Sequence, residues 1–186
     1  MSNLAYRLAV GSCVLVFATT VSILQSTQVD YDAQTQFISE LALGRGGEWL
    51  RLAFVALATG LATIANGLRH SPTPRWLIVL LFAAAICFVA AGGITLAVSA
   101  DTHIALVAIA FVCCGTAMYV LSRSRSILRR RLMRVLSWSC TVILCSAVGA
   151  GSHWIDGGLA QRLAAGALLC WLGLIAWQLD STGYKD

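Results

Sequence analysis

The sequence predicts an all-α, polytopic membrane protein with six transmembrane helices, and three observations point that way. Of its 186 residues 59% are hydrophobic and only 11% charged, against about 25% charged in a soluble globular domain. Six apolar runs, near 8–25, 52–68, 76–98, 104–121, 135–151 and 159–178, approach or exceed the roughly 18–20 residues that cross about 30 Å of hydrocarbon. The charges alternate between the two ends of these runs. Asp30, Asp32, Glu40, Glu48, Asp101 and Asp156 follow runs 1, 3 and 5. Arg7, Arg69, Arg75, Arg123, Arg125, Arg129, Arg130, Arg131 and Arg134 precede run 1 or follow runs 2 and 4. Lys and Arg are retained in short cytoplasmic loops, so both termini are expected in the cytoplasm and the acidic loops outside. The runs use well over half of the chain, which makes 1–186 a single six-helix transmembrane domain with no soluble partner domain.

Run 1 lacks a small-residue cleavage site and five more runs follow it, so it reads as a retained helix rather than a signal peptide. The long loop 26–50 contains Phe37-Ile-Ser-Glu-Leu-Ala-Leu43. At α-helical spacing Phe37, Leu41 and, less squarely, Ile38 share a face, with Ser39 and Glu40 turned away. That pattern predicts a short amphipathic helix on the outer membrane surface. Gly44-Arg-Gly-Gly47 ends it, because glycine permits the positive φ of a helix C-terminus. Trp49 marks an interface and Arg51 opens span 2, where Ala56 and Gly60 form a small-x-x-x-small pair suited to close helix approach. Both prolines fall in Arg69-His-Ser-Pro-Thr-Pro-Arg75, which cannot continue a helix. Span 3 ends near Gly92-Gly93, and about five residues, Ser99 to His103, lead into span 4. Span 5 ends at Gly149-Ala-Gly-Ser-His-Trp154, and span 6 follows Asp156-Gly-Gly158 with Arg162 about one turn inside.

The net charge of +5 comes largely from the arginine tract between spans 4 and 5. In a membrane protein such a tract sets orientation and meets anionic headgroups, so no nucleic-acid partner is expected. All seven cysteines lie inside spans and none forms a Cys-x-x-Cys pair, so they read as packing residues rather than a disulfide framework. Tryptophans 49, 76, 138, 154, 171 and 177 mostly lie near span ends and read as an aromatic belt. His70, His103 and His153 are not placed at opposing depths for haem, and no cofactor is expected.

Arg162 is the most informative residue, because a cation inside a membrane helix costs roughly 2.5–3.5 kcal/mol at the centre. Either it snorkels outward, or it faces the bundle and pairs with Asp101, Glu40 or Asp156. Asp101 caps span 4 on this reading, since Asp suits a helix N-terminus. His103, His153, Asp101 and Asp156 share one depth. They are candidates for a base with its orienting carboxylate, and the two histidines are weak candidates for metal ligation, without a recognised ligand spacing. Ser39-Glu40 resembles a nucleophile beside a base, yet no Gly-x-Ser-x-Gly elbow surrounds it, and an anchoring hydrogen bond is the plainer role. Arg162 and Arg51 are the candidate binding residues of this outer cluster.

Three elements together suggest a family. They are Ile38-Ser-Glu-Leu41 with its Gly-rich exit, His103 opening span 4 before Ala-Leu-Val-Ala-Ile-Ala-Phe111, and Gly158-Leu-Ala-Gln-Arg162 leading to Leu-Cys-Trp171. Over essentially the whole chain this resembles the bacterial six-span membrane proteins grouped as domain of unknown function 998. A proline often seen before the span 4 histidine there is replaced by Ser99-Ala100-Asp101. A more distant likeness is to the eukaryotic six-span Frag1/DRAM/Sfk1 group, which shares an Ile-Ser-acidic element in its first outer loop. That likeness implies an association with membrane-lipid homeostasis and glycolipid remodelling.

The expectation is an integral, multi-pass protein of the bacterial cytoplasmic (inner) membrane whose outer polar cluster binds or organises lipid or partner proteins. Membrane lipids are the expected partners, together with a membrane-protein partner or a second copy of the chain. Two alternatives stand beside it. One is an outer-face lipid-headgroup hydrolase or transferase, with His103 or His153 as base and Arg162 on phosphate. The other is a small-molecule transporter, for which Asn66 and the Ser and Thr residues supply the polar path.

Overall fold

Each of the six apolar runs is a helix in the computed structural model, which describes residues 3–128, 130–150 and 155–181. The helices are α1 (Asn3–Thr27), α2 (Leu50–Leu68), α3 (Arg75–Gly93), α4 (Ala100–Arg123), α5 (Arg131–Ala150) and α6 (Gly157–Ser181). Their apolar stretches are 19 to 24 residues long, enough at 1.5 Å per residue to cross about 30 Å of hydrocarbon. The described residues contain no strand. The proline-bearing turn stops α2 at Leu68, and Pro74, held at φ −56°, caps the start of α3.

The α3–α4 corner differs from the sequence reading. The helix α3 stops at Gly93, as the glycine pair suggested, but α4 starts at Ala100, so the link is 94–99 rather than Ser99 to His103. Ser99, not Asp101, takes the cap position: its Oγ donates to Thr102 Oγ1 at 2.9 Å, and its carbonyl accepts from His103 N at 3.0 Å. Asp101 sits inside the first turn and is exposed, where it still complements the positive end of α4.

Each helix packs on its neighbours in chain order, α1 closes the ring against α6, and α2 also reaches across to α6. Small residues set the closest approaches. A Cβ on Gly60 would lie 3.4 Å from Cys13 Cβ of α1, and one on Gly92 only 3.0 Å from Phe54 Cβ of α2. The core is built from Leu61 and Ile64 of α2, Leu81 and Phe88 of α3, Met118 of α4 and Leu168 of α6. Trp171 belongs to that core and not to an aromatic belt: it is fully buried, and its indole N–H donates to Ser137 Oγ of α5 at 3.2 Å. Trp49, Trp76, Trp138 and Trp177 are exposed, and Trp154 lies outside the described residues. The cysteines are free thiols, with Cys114 buried among the helices and Cys145 and Cys170 on the outer faces.

One end of the bundle carries the arginines. There Arg7 stacks on Trp177 at 4.0 Å, Arg69 on Phe82 at 5.1 Å and Arg123 on Tyr119 at 4.4 Å, contacts that hold a guanidinium at the apolar boundary. The opposite, acidic end carries the loop 28–46. Its ordered segment is a six-residue 3₁₀ helix, Ile38–Leu43, rather than an α-helix. Three residues per turn align Ile38 with Leu41, and both are buried against the bundle. Ile38 and Leu41 thus keep the expected apolar face, whereas Ser39 is buried and Phe37 exposed, against expectation. Gly46 follows in the left-handed region at φ 72° and turns the chain into α2.

Candidate functional site

Two groups of polar side chains, joined at Gln161, occupy the acidic end. The first fastens the long loop to α6. A helix begins with backbone N–H groups that have no partner inside it, and here the loop supplies them. Gly158 N donates to Thr35 O at 3.2 Å and Leu159 N to Gln34 O at 2.8 Å. In the other direction Ile38 N donates to Gln161 Oε1 at 2.6 Å. Arg162 completes the fastening through Nη1, which donates to Gln36 O at 2.9 Å and Gly158 O at 3.0 Å, and through Nη2, which donates to the Tyr31 hydroxyl. Tyr31 in turn donates to Phe37 O at 2.8 Å. Gly158 is required where the strands of chain meet, since a Cβ there would lie 2.4 Å from Gln36 O.

Arg162 thus faces inward, but its partners are carbonyls and a phenol and not the expected carboxylates. The start of α6 meets residues 34–37, where Gln34 O and Thr35 O take its free N–H groups and Gln36 O takes the guanidinium. Glu40 is committed elsewhere: its Oε1 accepts from Phe37 N at 2.9 Å, the reach-back of a third-position Glu to the cap residue. Asp101, Asp156 and Arg51 are exposed. Asp32 shapes the loop by accepting from Gln34 N at 3.0 Å and from Thr35 Oγ1 at 2.7 Å, and those bonds hold its carboxyl below the usual range. Burial raises the Tyr31 phenol above its ordinary value, and the hydrogen bond from Arg162 and its charge partly offset that rise.

The second group stands at the head of a groove of about 340 Å³ between α4, α5 and α6. Ser39, His103 and Gln161 line its polar end, and Val107, Phe111 and Ala164 line its apolar depth. Ile104 and Val148 line it as well and are exposed on the outer surface of the bundle, so the groove opens sideways between helices. His103 is 3% exposed, and its Nδ1 donates to Ala91 O at 3.0 Å and Ile94 O at 2.8 Å. These carbonyls end α3 and would otherwise be orphaned. Nδ1 is therefore the proton-bearing nitrogen of these contacts, and Nε2 is buried and has no partner among the described residues. Phe54 meets the ring edge-on at 5.8 Å.

The structure therefore splits the single polar cap that the sequence suggested. Ser39 and His103 come together on the groove, and Arg162 and Glu40 serve the loop. Asp101, Asp156 and Arg51 stand apart at the surface, and His153 lies outside the described residues. No hydrogen bond joins Ser39 to His103 in this structure. Among the described residues no three His, Cys, Asp or Glu side chains gather as metal ligands. Two members of these groups escaped the sequence reading, Tyr31 and Gln161. Gln161 adjoins Arg162, and a second polar side chain one turn inside an apolar helix was the available signal.

Six helices able to span a bilayer, ringed around a core with a sideways-opening groove, define a multi-pass membrane protein. Residues 10–178 match the family model described as protein of unknown function (DUF998), and the chain belongs to that family. No curated protein and no solved structure matches it.

Proposed function

We propose that the groove takes up the acyl chain of a membrane lipid and that the protein binds or organises lipid in the bacterial cytoplasmic membrane. The observation that carries this is the groove itself: about 340 Å³, apolar in its depth, polar at one end and open on a face that meets hydrocarbon. Its volume falls in the roughly 300–1,000 Å³ range of ligand sites. From His103 to Phe111 it follows α4 for about 12 Å at 1.5 Å per residue, the upper part of one leaflet. A cleft at that depth in a bilayer is bathed by acyl chains, and the three polar side chains lie where a chain joins its headgroup. With arginines retained inside, the groove's polar end faces away from the cytoplasm.

Native mass spectrometry of the purified full chain tests this. Wild-type protein is expected to carry lipid through detergent exchange. The variant Ala108→Phe, which fills the groove from its exposed side, is expected to lose that lipid while staying monodisperse. Equal lipid retention by both proteins would refute the reading. A reporter fused at residue 72 is expected on the cytoplasmic side, and an external position would overturn the orientation.

A further inference from the structure

Building on that groove, we infer that the lipid it selects is uncharged where it meets the protein, a diacylglycerol-type lipid with a free hydroxyl rather than an anionic phospholipid. The polar end is deeply placed, with Ser39 5% and His103 3% exposed. No Arg, Lys, Asp or Glu side chain lines it. Ser39 brings a hydroxyl to the lining. Gln161 brings its amide nitrogen, its oxygen being already engaged by Ile38 N. His103 brings Nε2, buried and without a partner among the described residues, while Nδ1 donates to two carbonyls.

The described charges of the acidic end lie off this surface. None of them lines the groove. Arg162, the cation nearest in sequence, directs Nη1 to Gln36 O and Gly158 O and Nη2 to Tyr31, while its Nε is buried without a partner among the described residues, and it does not line the groove. A phosphate drawn into this end would give up water without a counter-charge, the costliest form of burial. A hydroxyl avoids that cost, because it accepts from Gln161 Nε2 and donates its one proton to Ser39 Oγ. The ester carbonyls of a glycerolipid are likewise uncharged acceptors.

The test uses two photoactivatable lipids with identical acyl chains and diazirine positions, a diacylglycerol and a phosphatidic acid, added to the full chain in phosphatidylcholine nanodiscs. Labelled peptides are mapped by mass spectrometry. Diacylglycerol is expected to label the α4 and α6 groove segments at least roughly tenfold more than phosphatidic acid, as one unpaired buried charge implies. Unlabelled dioleoylglycerol should compete, and Ser39→Ala should shrink the difference. Equal or stronger labelling by phosphatidic acid would overturn the headgroup class while leaving the groove a lipid site. Absence of groove labelling by both lipids would overturn the groove reading itself.

Discussion

Tyr31 and Arg162 lie 131 residues apart in the chain and share a hydrogen bond that fastens the long loop of the acidic end to the first turns of α6. Arg162→Met keeps much of the side-chain length and removes the donors to Gln36 O and Tyr31. It is expected to cost about 2–3 kcal/mol, the scale of hydrogen bonds to a charged group. Thermal unfolding in detergent would show this as a clear drop in Tm. Arg162→Lys should recover only part of it, because one ammonium cannot reproduce the forked geometry. An unchanged Tm in the Met variant would show that the contact contributes nothing to stability.

The Tyr31 phenol lies in the loop, outside the spans, and burial raises its folded-state pKa. The sign follows: the neutral phenol's contribution is complete below the unfolded value near 10. It fades as pH rises through the higher folded value. Alkaline titration of tyrosine absorbance should therefore show one late-ionising phenol that is missing in Tyr31→Phe. Arg162→Met should move that phenol later still, since Arg162 is what holds the rise back. Titration of Tyr31 at or below the ordinary value would contradict the buried contact.

His103 fastens α4 to the end of α3. His103→Phe preserves ring volume and leaves two carbonyls without their donor, and about 1–3 kcal/mol is expected for that loss. His103→Ala adds a cavity beside Phe54 and should cost more, about 2–4 kcal/mol. Denaturant unfolding of both variants separates the two contributions. If Phe were as stable as wild type, the donor would be irrelevant and packing alone would matter.

Gly158→Ala tests the docking of the loop by sterics. The added Cβ would lie 2.4 Å from Gln36 O and 2.6 Å from Gln34 O, both backbone atoms that cannot step aside. Strain of about 1–3 kcal/mol is expected, relieved by the loop lifting away. Limited proteolysis between residues 28 and 37 should speed up in the variant. Resistance equal to wild type would mean that the loop is held without this close approach.

The six helices were legible because hydrocarbon imposes one requirement on composition, about twenty apolar residues per crossing. The end of α3 and the start of α4 were less legible, since Ala100–Asp101 is too short to betray periodicity and the decisive signal was Ser99 as cap. The loop helix was found at the right residues with the wrong pitch. An α-helical wheel puts Ser39 outward, whereas the 3₁₀ winding chosen by contact with the bundle turns it in. Arg162 was singled out by its cost in a membrane, but its partners were not readable. Every residue has a carbonyl, and nothing in residue identity says which carbonyls converge. Trp171 was misassigned for a related reason: its burial depends on Ser137 from another helix.

Arg7 of α1 donates to the Trp177 carbonyl and stacks on its ring, so the first and last helices end side by side at the arginine-bearing end. The turn at 69–75 lies at that same end. A chain joined across α6 and α1 and reopened in this turn would start with α3 and finish with α2. Every helix would keep its direction and its neighbours while the order of entry into the membrane changed. Assembly of such a rearranged chain would separate what the bilayer requires of each span from what the sequence of synthesis contributes.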